Sequence, residues 1–136
     1  MEIPNISGST FHLPGDDMDT DRIIKLINRY KRYNKGCSIL VADVNFGCGP
    51  SSECAIIEIQ HCGIKAIIAR SFAAIFRRNA TANGLVCVTV DADDHHCVKR
   101  ADVFEVHINL EKMEIQTMHH AEGFPGKSIL SCLMPS

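Results

Sequence analysis

Three short apolar runs, separated by two amphipathic segments, constrain the fold of this chain more than any other feature. The runs cover residues 39–44, 64–69 and 85–90, and each is bounded by small or polar residues. Short apolar runs that alternate with helical patterns predict parallel strands joined by helical crossovers. We therefore expect an α/β domain that has a partly parallel sheet with flanking helices.

Both crossover helices have a recognisable start and end. The first places Ala55 and Ile59 at helical spacing and stops at Gly63. Ser71 is the residue type that caps a helix, and it precedes an apolar face that continues to Gly84. We predict that Ser71 is the N-cap of the second helix.

The chain on either side of this region has a different pattern. Residues 1–36 are irregular, and residues 101–118 alternate with period two around a polar centre at 110–112, which predicts a C-terminal β-hairpin. The segment 122–134 predicts a turn and a short helix. Because no internal repeat or linker interrupts the chain, residues 1–136 are expected to form a single domain.

The composition excludes several classes of function. A formal net charge of −2 does not suit a protein that binds nucleic acid by neutralising phosphates. No apolar stretch reaches the roughly 18 residues that a membrane span needs. The first residues lack the basic and apolar regions of a signal peptide, so we expect a cytoplasmic protein without membrane or nucleic-acid partners.

The seven cysteines are better explained as reduced thiols than as disulfides or metal ligands. Their number is odd, several lie in apolar runs, and no CxxC spacing occurs. His95, His96 and Cys97 are adjacent in a polar stretch, but neighbouring residues of an extended chain point in opposite directions. We accordingly predict no metal site in this chain.

The segment NFGCGPSSECA, residues 45–55, joins the first apolar run to the first helix. Cys48 stands between two glycines, Gly49 is followed by a residue suited to a first helical turn, and Ser51 and Ser52 add hydroxyl donors. Such a loop at the carboxyl end of a strand favours a carboxylate or phosphate. The same residues also make an adequate helix start with nothing bound. A nucleophilic role for Cys48 has no nearby histidine to support it.

An acidic turn, GDDMDTD, precedes the apolar pair Ile23 and Ile24. Asp16 and Asp17 are expected to be solvated turn residues. Asp19, Thr20 and Asp21 come directly before apolar residues and are better candidates for a fixed role. The turn lacks the glycine and the final glutamate of a calcium loop.

Three segments, at residues 15–24, 39–55 and 63–85, resemble in the same order the small subunit of isopropylmalate isomerase. This is the swivel domain shared with aconitase and homoaconitase, and the resemblance covers roughly residues 10–90. It implies a β/β/α swivel domain that closes over a separate large subunit. It also implies a hydro-lyase acting on a hydroxy acid, with a [4Fe–4S] cluster held by the cysteines of the large subunit and not by this chain.

The resemblance assigns substrate contacts to one group of positions: Asp19, Thr20, Asp21, Cys48, Gly49, Ser51 and Ser52. The family loop reads Gly-Cys-Gly-Ser-Ser-Arg-Glu-His-Ala, and here Pro50 occupies the place of the catalytic serine and Ser52 that of the substrate-binding arginine. Because proline has neither a hydroxyl nor an N–H, we expect Ser51 or Ser52 to supply the catalytic base.

Two further departures concern arginine and substrate selection. The family's SFARIF is SFAAIF here, with Ala74 in place of the arginine, and the stretch after the acidic turn is short. Arg70, Arg77 and Arg78 are candidates to replace the lost carboxylate contact, or are simply exposed charges. Three functions therefore remain open: a hydro-lyase subunit with an atypical substrate, a non-catalytic partner that regulates or stabilises a large subunit, and a free-standing anion-binding module.

Overall fold

Eight strands form a mixed sheet in the computed structural model, which describes residues 5–30, 36–49, 53–99, 103–112, 114–119, 125–130 and 132–133. The strands are β1 (Asn5–His12), β2 (Cys37–Val41), β3 (Ala66–Ala69), β4 (Val86–Thr89), β5 (Val103–Asn109), β6 (Glu114–His119), β7 (Pro125–Leu130) and β8 (Cys132–Leu133). Their order across the sheet is β7-β6-β5-β1-β2-β3-β4-β8. Strands β1 to β4 are mutually parallel, and all other pairs are antiparallel.

Within these described ranges, four helices connect or follow the parallel strands: α1 (Thr20–Tyr30), α2 (Glu53–His61), α3 (Ala74–Ala82) and α4 (Ala92–Val98). Alternate residues of β2 point to opposite faces of the sheet. Leu40 packs with buried residues of α1, α2 and α3, whereas Ile39 and Val41 pack with α4 and β5. Strands that are buried on both faces have no polar side, which explains their uninterrupted apolar runs.

The predicted alternation of strands and helices over the middle of the chain is confirmed, as is the β5–β6 hairpin. Two predictions about the ends are wrong. Residues 1–36 were expected to be irregular but contain β1 and α1. Strand β1 is half-exposed, so it shows no apolar run, and α1 buries chiefly Ile23 and Ile27 on one narrow face.

The prediction of a turn and short helix near the C-terminus is also wrong, because β7 and β8 lie there. Strand β7 pairs with β6 at one edge of the sheet. An edge strand tolerates the proline and glycine that open this segment, since proline removes a donor only from an unpaired side. Pairing with a distant strand, rather than local propensity, decides this conformation.

Two local predictions are also wrong. Helix α3 begins at Ala74 after the N-cap Ala73, which makes no side-chain cap hydrogen bond, so Ser71 is not the N-cap. The stretch around His95 is helix α4 and not an extended chain, and Asp91 caps it by accepting a hydrogen bond from Asp94 N–H at 2.8 Å. No helix in the described ranges is long and apolar enough to cross a membrane.

Candidate functional site

The candidate site lies at the carboxyl edge of the parallel strands, where the segments after β1, β2 and β3 meet. These segments cover residues 13–19, 42–49 and 70–73. In an open parallel sheet this edge is where loops converge and ligands bind. The structure describes residues 45–49 of the glycine-rich segment as the loop after β2, and residues 53–55 as the start of α2.

Backbone contacts join this loop to the acidic turn. Gly47 N–H donates to Met18 O at 2.9 Å, and Thr20 N–H donates to Cys48 O at 3.3 Å. Asp19 and Cys48 form an isolated parallel bridge. The structure thus brings together Asp19, Thr20 and Cys48, three residues that sequence reasoning had proposed for the site.

The remaining proposed residues differ in their placement. Gly49 is exposed, and a Cβ atom added to it would lie 3.4 Å from Asp19 Cβ. Asp21 is exposed in the first turn of α1. Ser51 and Ser52, proposed as the catalytic residues, lie with Pro50 outside the described residues, so their role stays a prediction.

The side chain of Asp19 has a local structural role. Its Oδ1 accepts a hydrogen bond at 2.8 Å from the backbone N–H of Arg22, which lies three residues later in the first turn of α1. A carboxylate in this position satisfies a free helix donor and interacts favourably with the helix dipole. This explains why an aspartate directly precedes the helix, and it holds the acidic turn against Cys48.

The loop is anchored on its other side by Ser71. Asn45 N–H donates to Ser71 Oγ at 2.7 Å, and Phe46 N–H donates to Ser71 O at 3.1 Å. Ala73 N–H in turn donates to Phe46 O at 2.9 Å. Sequence reasoning assigned Ser71 to helix capping and missed this role. The only signal in the sequence was that Ser71 fits the resemblance to the swivel domains.

Aromatic packing under the loop leaves space for glycine alone at position 47. Phe46 is buried, with ring centroids 5.3 Å from Phe76 and 6.4 Å from Phe72. Gly47 has a φ of 86° and a Cβ atom there would overlap the Phe76 side chain. The loop therefore depends on a residue that has no Cβ and adopts a left-handed backbone.

Asp16 and Asp17 are exposed, as predicted, but they also hold the loop. Val44 N–H donates to Asp16 Oδ1 at 3.1 Å, and Asn45 Nδ2 donates to Asp17 Oδ1 at 3.0 Å. Asp17 and Asn45 both have positive φ, 53° and 55°. Aspartate and asparagine tolerate this conformation better than other residues with a Cβ, which suits them to two facing turns.

A cluster that sequence reasoning missed lies beside the loop. The Nε2 atoms of His12 and His95 lie 2.8 and 3.0 Å from Asp43 Oδ1. Gly15 N–H donates to Asp43 Oδ2 at 2.8 Å, and His95 Nε2 also donates to Ala42 O at 2.8 Å. No local sequence pattern predicts this cluster, because its members come from β1, the segment after β2 and α4.

The environment of the cluster shifts two of its pKa values. Burial alone would raise the pKa of Asp43, but hydrogen bonds from Gly15 and His12 outweigh it, and the pKa lies below the ordinary 3.8. Burial lowers the pKa of His95 below the ordinary 6.5, although the hydrogen bond to Ala42 opposes this shift. The carboxylate of Asp43 is therefore ionised at neutral pH beside a neutral His95.

Arg70 lies at the carboxyl end of β3, directly before Ser71. Its backbone N–H donates to Asp43 O at 3.1 Å. Its side-chain Nε is buried and has no hydrogen-bond partner among the described residues. A buried guanidinium donor without a partner is costly, and a carboxylate is the group that satisfies such a donor best.

Comparison with known proteins places this arrangement in context. The family model described as the aconitase C-terminal domain matches residues 9–93. A homoaconitase small subunit from Methanocaldococcus jannaschii is 37% identical over 123 residues, which cover 76% of this chain and 71% of that protein. A 3-isopropylmalate dehydratase small subunit from Lachnospira eligens is 36% identical over 134 residues, which cover 85% of this chain and 78% of that protein.

A solved structure agrees with these relatives. The crystal structure of 3-isopropylmalate dehydratase from M. jannaschii matches with a TM-score of 0.74 at 34% sequence identity, covering 98% of this chain and 84% of that one. The agreement extends over nearly the whole chain, including the strands on both sides of the loop.

Proposed function

The chain belongs to the aconitase C-terminal domain family, and on this premise we propose that it is the small subunit of a two-subunit hydro-lyase that acts on a hydroxy acid. The loop at residues 45–49 carries this proposal. It lies at the carboxyl edge of the parallel strands, is held from both sides by Met18 and Ser71, and leads towards the start of α2 at Glu53. Backbone donors before a helix favour a carboxylate.

The partner in this proposal is a large aconitase-like subunit that carries a [4Fe–4S] cluster. Such a cluster is held by cysteine thiolates. Within the described ranges, the one group of three or more potential metal-ligating side chains contains two histidines and an aspartate but no cysteine. These residues do not fit an iron–sulfur cluster, so we assign the cluster, and the Lewis-acid chemistry it supplies, to the large subunit.

This chain contributes the closing surface, the carboxylate contacts and a base. In this proposal Cys48 and Gly49, together with Asp19, Thr20 and Asp21, line the substrate side of the loop. Ser51 or Ser52 takes the proton that leaves carbon when water is eliminated and returns it on hydration. Because proline stands where the family has its serine base, we assign the base to one of these two hydroxyls, which directly follow that proline in the chain.

Arg70 replaces the arginine that the family loop carries and this chain lacks. Its Nε is buried and unpartnered in the described part of the chain. Arg70 directly precedes Ser71, the serine that anchors the loop. A guanidinium forms paired, charge-assisted hydrogen bonds to a carboxylate. We assign the enzyme to the cytoplasm and its substrate to the small hydroxy acids with at least one carboxylate.

Co-expression with a large subunit under anaerobic conditions, followed by a hydration and dehydration screen of hydroxy acids, tests the function. We expect a stable complex that turns over at least one acid. Ser51→Ala and Ser52→Ala are compared with Ser38→Ala, which removes a hydroxyl from β2. Loss of turnover in one loop variant, with the complex intact, identifies the base. Full activity in both loop variants refutes the serine assignment.

A second function, a non-catalytic partner, is favoured by one observation. Pro50 and Ser52 occupy the places of the two chemically most important loop residues of the family. If the complex forms and is stable but dehydrates none of the acids in the screen, while the large subunit gains stability or solubility, this second function replaces the first. Failure to bind any large subunit contradicts both.

A further inference from the structure

The cluster of His12, Asp43 and His95 has the composition and geometry of a metal site. Their ligand atoms all lie within 4.8 Å of one another. Two neutral nitrogens and one carboxylate oxygen form the set found in many zinc and non-haem iron sites. His12 lies at the end of β1 and His95 in α4. Asp43 lies two residues after β2, where Gly15 N–H donates to its carboxylate and Arg70 N–H to its backbone carbonyl.

The surroundings of the cluster restrict the orientation of Asp43. The exposed fractions of the side chains are 29% for His12, 14% for Asp43 and 7% for His95. Gly15 N–H donates to Asp43 Oδ2, which leaves Oδ1 directed at the two imidazoles. Outer hydrogen bonds that orient a ligand carboxylate in this way are a regular feature of metal sites.

We propose that His12, Asp43 and His95 bind one divalent first-row transition-metal ion of the Zn²⁺ type, with a remaining position open on the side of His12. The sequence alone predicted no metal in this chain. The proposal replaces that expectation, because α4 directs His95 inwards while its neighbour His96 stays exposed.

The described geometry is that of the ion-free cluster and needs only a small opening. The two nitrogen–oxygen separations are 2.8 and 3.0 Å. The shorter one is the hydrogen bond between His12 and Asp43, whereas His95 Nε2 donates to Ala42 O. Ligand atoms at about 2 Å from a tetrahedral ion stand about 3.3 Å apart, so each contact lengthens by a few tenths of an ångström. Because an imidazole binds a metal ion through a nitrogen that carries no proton, each ring holds its proton on Nδ1 in the metal-bound form, and no other reactant is required.

Ala42 O is the group most affected by this change. It now accepts a hydrogen bond from His95 Nε2 at 2.8 Å, which ends when that nitrogen binds the ion. The carbonyl oxygen is close enough to become a fourth ligand, and water is the alternative. Either keeps the set to nitrogen and oxygen atoms, in contrast to thiolate sites formed by cysteines.

Titration of the full, metal-free chain with Co²⁺ and then Zn²⁺ tests the proposal. We expect one equivalent of Co²⁺ to give the visible absorption of a tetrahedral ion without a thiolate charge-transfer band, and Zn²⁺ to displace it. His12→Gln and Asp43→Asn are expected to weaken binding by about 100-fold or more. His96→Gln and His107→Gln, at exposed positions, serve as controls and keep the affinity of the unaltered chain.

His12 is the most informative position, because it is the most exposed of the three and its replacement leaves the core intact. Unchanged affinity in His12→Gln, or a thiolate band in the cobalt spectrum, means that the ion is held elsewhere and overturns the proposal. Absence of binding in the unaltered chain also overturns it and leaves a hydrogen-bonded clamp between β1, β2 and α4. None of these readouts depends on hydro-lyase activity.

Discussion

Asn45 donates its backbone N–H to Ser71 Oγ at 2.7 Å, and this hydrogen bond joins the loop after β2 to the end of β3. The next residue, Phe46, donates to the carbonyl of the same serine. One residue therefore fixes two consecutive peptide groups of the candidate substrate loop. The position of the loop relative to the neighbouring strand therefore depends on this one serine.

Ser71→Ala is expected to lower activity more than stability. The change removes the acceptor of Asn45 N–H but keeps the carbonyl that binds Phe46, so we expect a loss of about 1–2 kcal/mol in the free energy of unfolding. Displacement of the loop should reduce kcat/KM of the reconstituted enzyme by about tenfold or more. Urea unfolding and steady-state kinetics measure the two effects.

Ser38→Ala is the control for that comparison, because Ser38 Oγ donates only an exposed hydrogen bond to Ser7 O at 3.3 Å. It is expected to change neither quantity by much. If Ser71→Ala has kinetics equal to those of Ser38→Ala in an intact complex, the anchoring role of Ser71 is wrong.

Gly47→Ala is expected to destabilise the domain far more than Gly63→Ala. The two glycines have almost the same φ, 86° and 89°, so both substitutions incur the cost of a left-handed backbone, about 1 kcal/mol. A Cβ at Gly47 overlaps Phe76, whereas nothing lies within 4 Å of one at Gly63. We expect a total loss of about 3 kcal/mol or more at position 47, measured by urea unfolding. Equal losses would contradict the packing of Phe76 against the loop.

The sequence predicted the central part of the fold because its physical signal is local. Strands β2, β3 and β4 are buried on both faces over most of their length and are therefore largely apolar, and each helix between them carries an apolar face. The β5–β6 hairpin was predicted for a similar reason, since one of its faces is buried and its residues alternate. These patterns need no knowledge of distant residues.

The remaining elements depend on contacts that a local pattern does not contain. Strand β7 is defined by its pairing with β6, and β1 pairs with β2 and β5 although its own residues are half polar. Gly8, within β1, lies so close to Ser38 that a Cβ atom would overlap that side chain. A glycine that permits such a close approach favours the pairing of two strands, but this role is visible only when the partner strand is known.

The candidate site shows the same division. The family resemblance indicated the loop and the acidic turn, and the structure brings Cys48 next to Asp19. The anchoring by Ser71 and the cluster around Asp43 join residues that are 26 to 53 positions apart. The spacing of these residues in the sequence carries no information about such contacts. The contacts form because parallel strands end at the same edge of the sheet and bring the following segments together.

Arg70→Gln is expected to raise KM about 10- to 100-fold while kcat changes little, because a charge-assisted hydrogen bond to a carboxylate contributes about 1.5–3 kcal/mol. Arg70→Lys should recover only part of the affinity, since lysine lacks the paired donors. Arg78→Gln, an exposed position on α3, is the matched control. Steady-state kinetics of the reconstituted complex measure all three variants. An unchanged KM in Arg70→Gln would show that the carboxylate is held by another group.

Cys87 gives a prediction about stability at high pH. Burial raises the pKa of this thiol from 9.0 to about 12, although the charge of Arg77 opposes the shift. Between these values the unfolded chain has lost the thiol proton that the folded protein still holds. The unfolded state then binds fewer protons, so the contribution of Cys87 to stability is complete below pH 9 and decreases as the pH rises above it.

Cys87→Ala removes this titration, so the stability difference between the unaltered protein and the variant is expected to shrink with pH. The slope approaches about 1.4 kcal/mol per pH unit, which gives about 1 kcal/mol between about pH 9 and about pH 10. Urea unfolding at a series of pH values measures the difference. Val88→Ala, at a neighbouring buried position without a titratable group, is the control, and its effect should stay constant. A constant difference for Cys87→Ala as well would mean that the thiol ionises equally in the folded and unfolded chains, and that water reaches this part of the core.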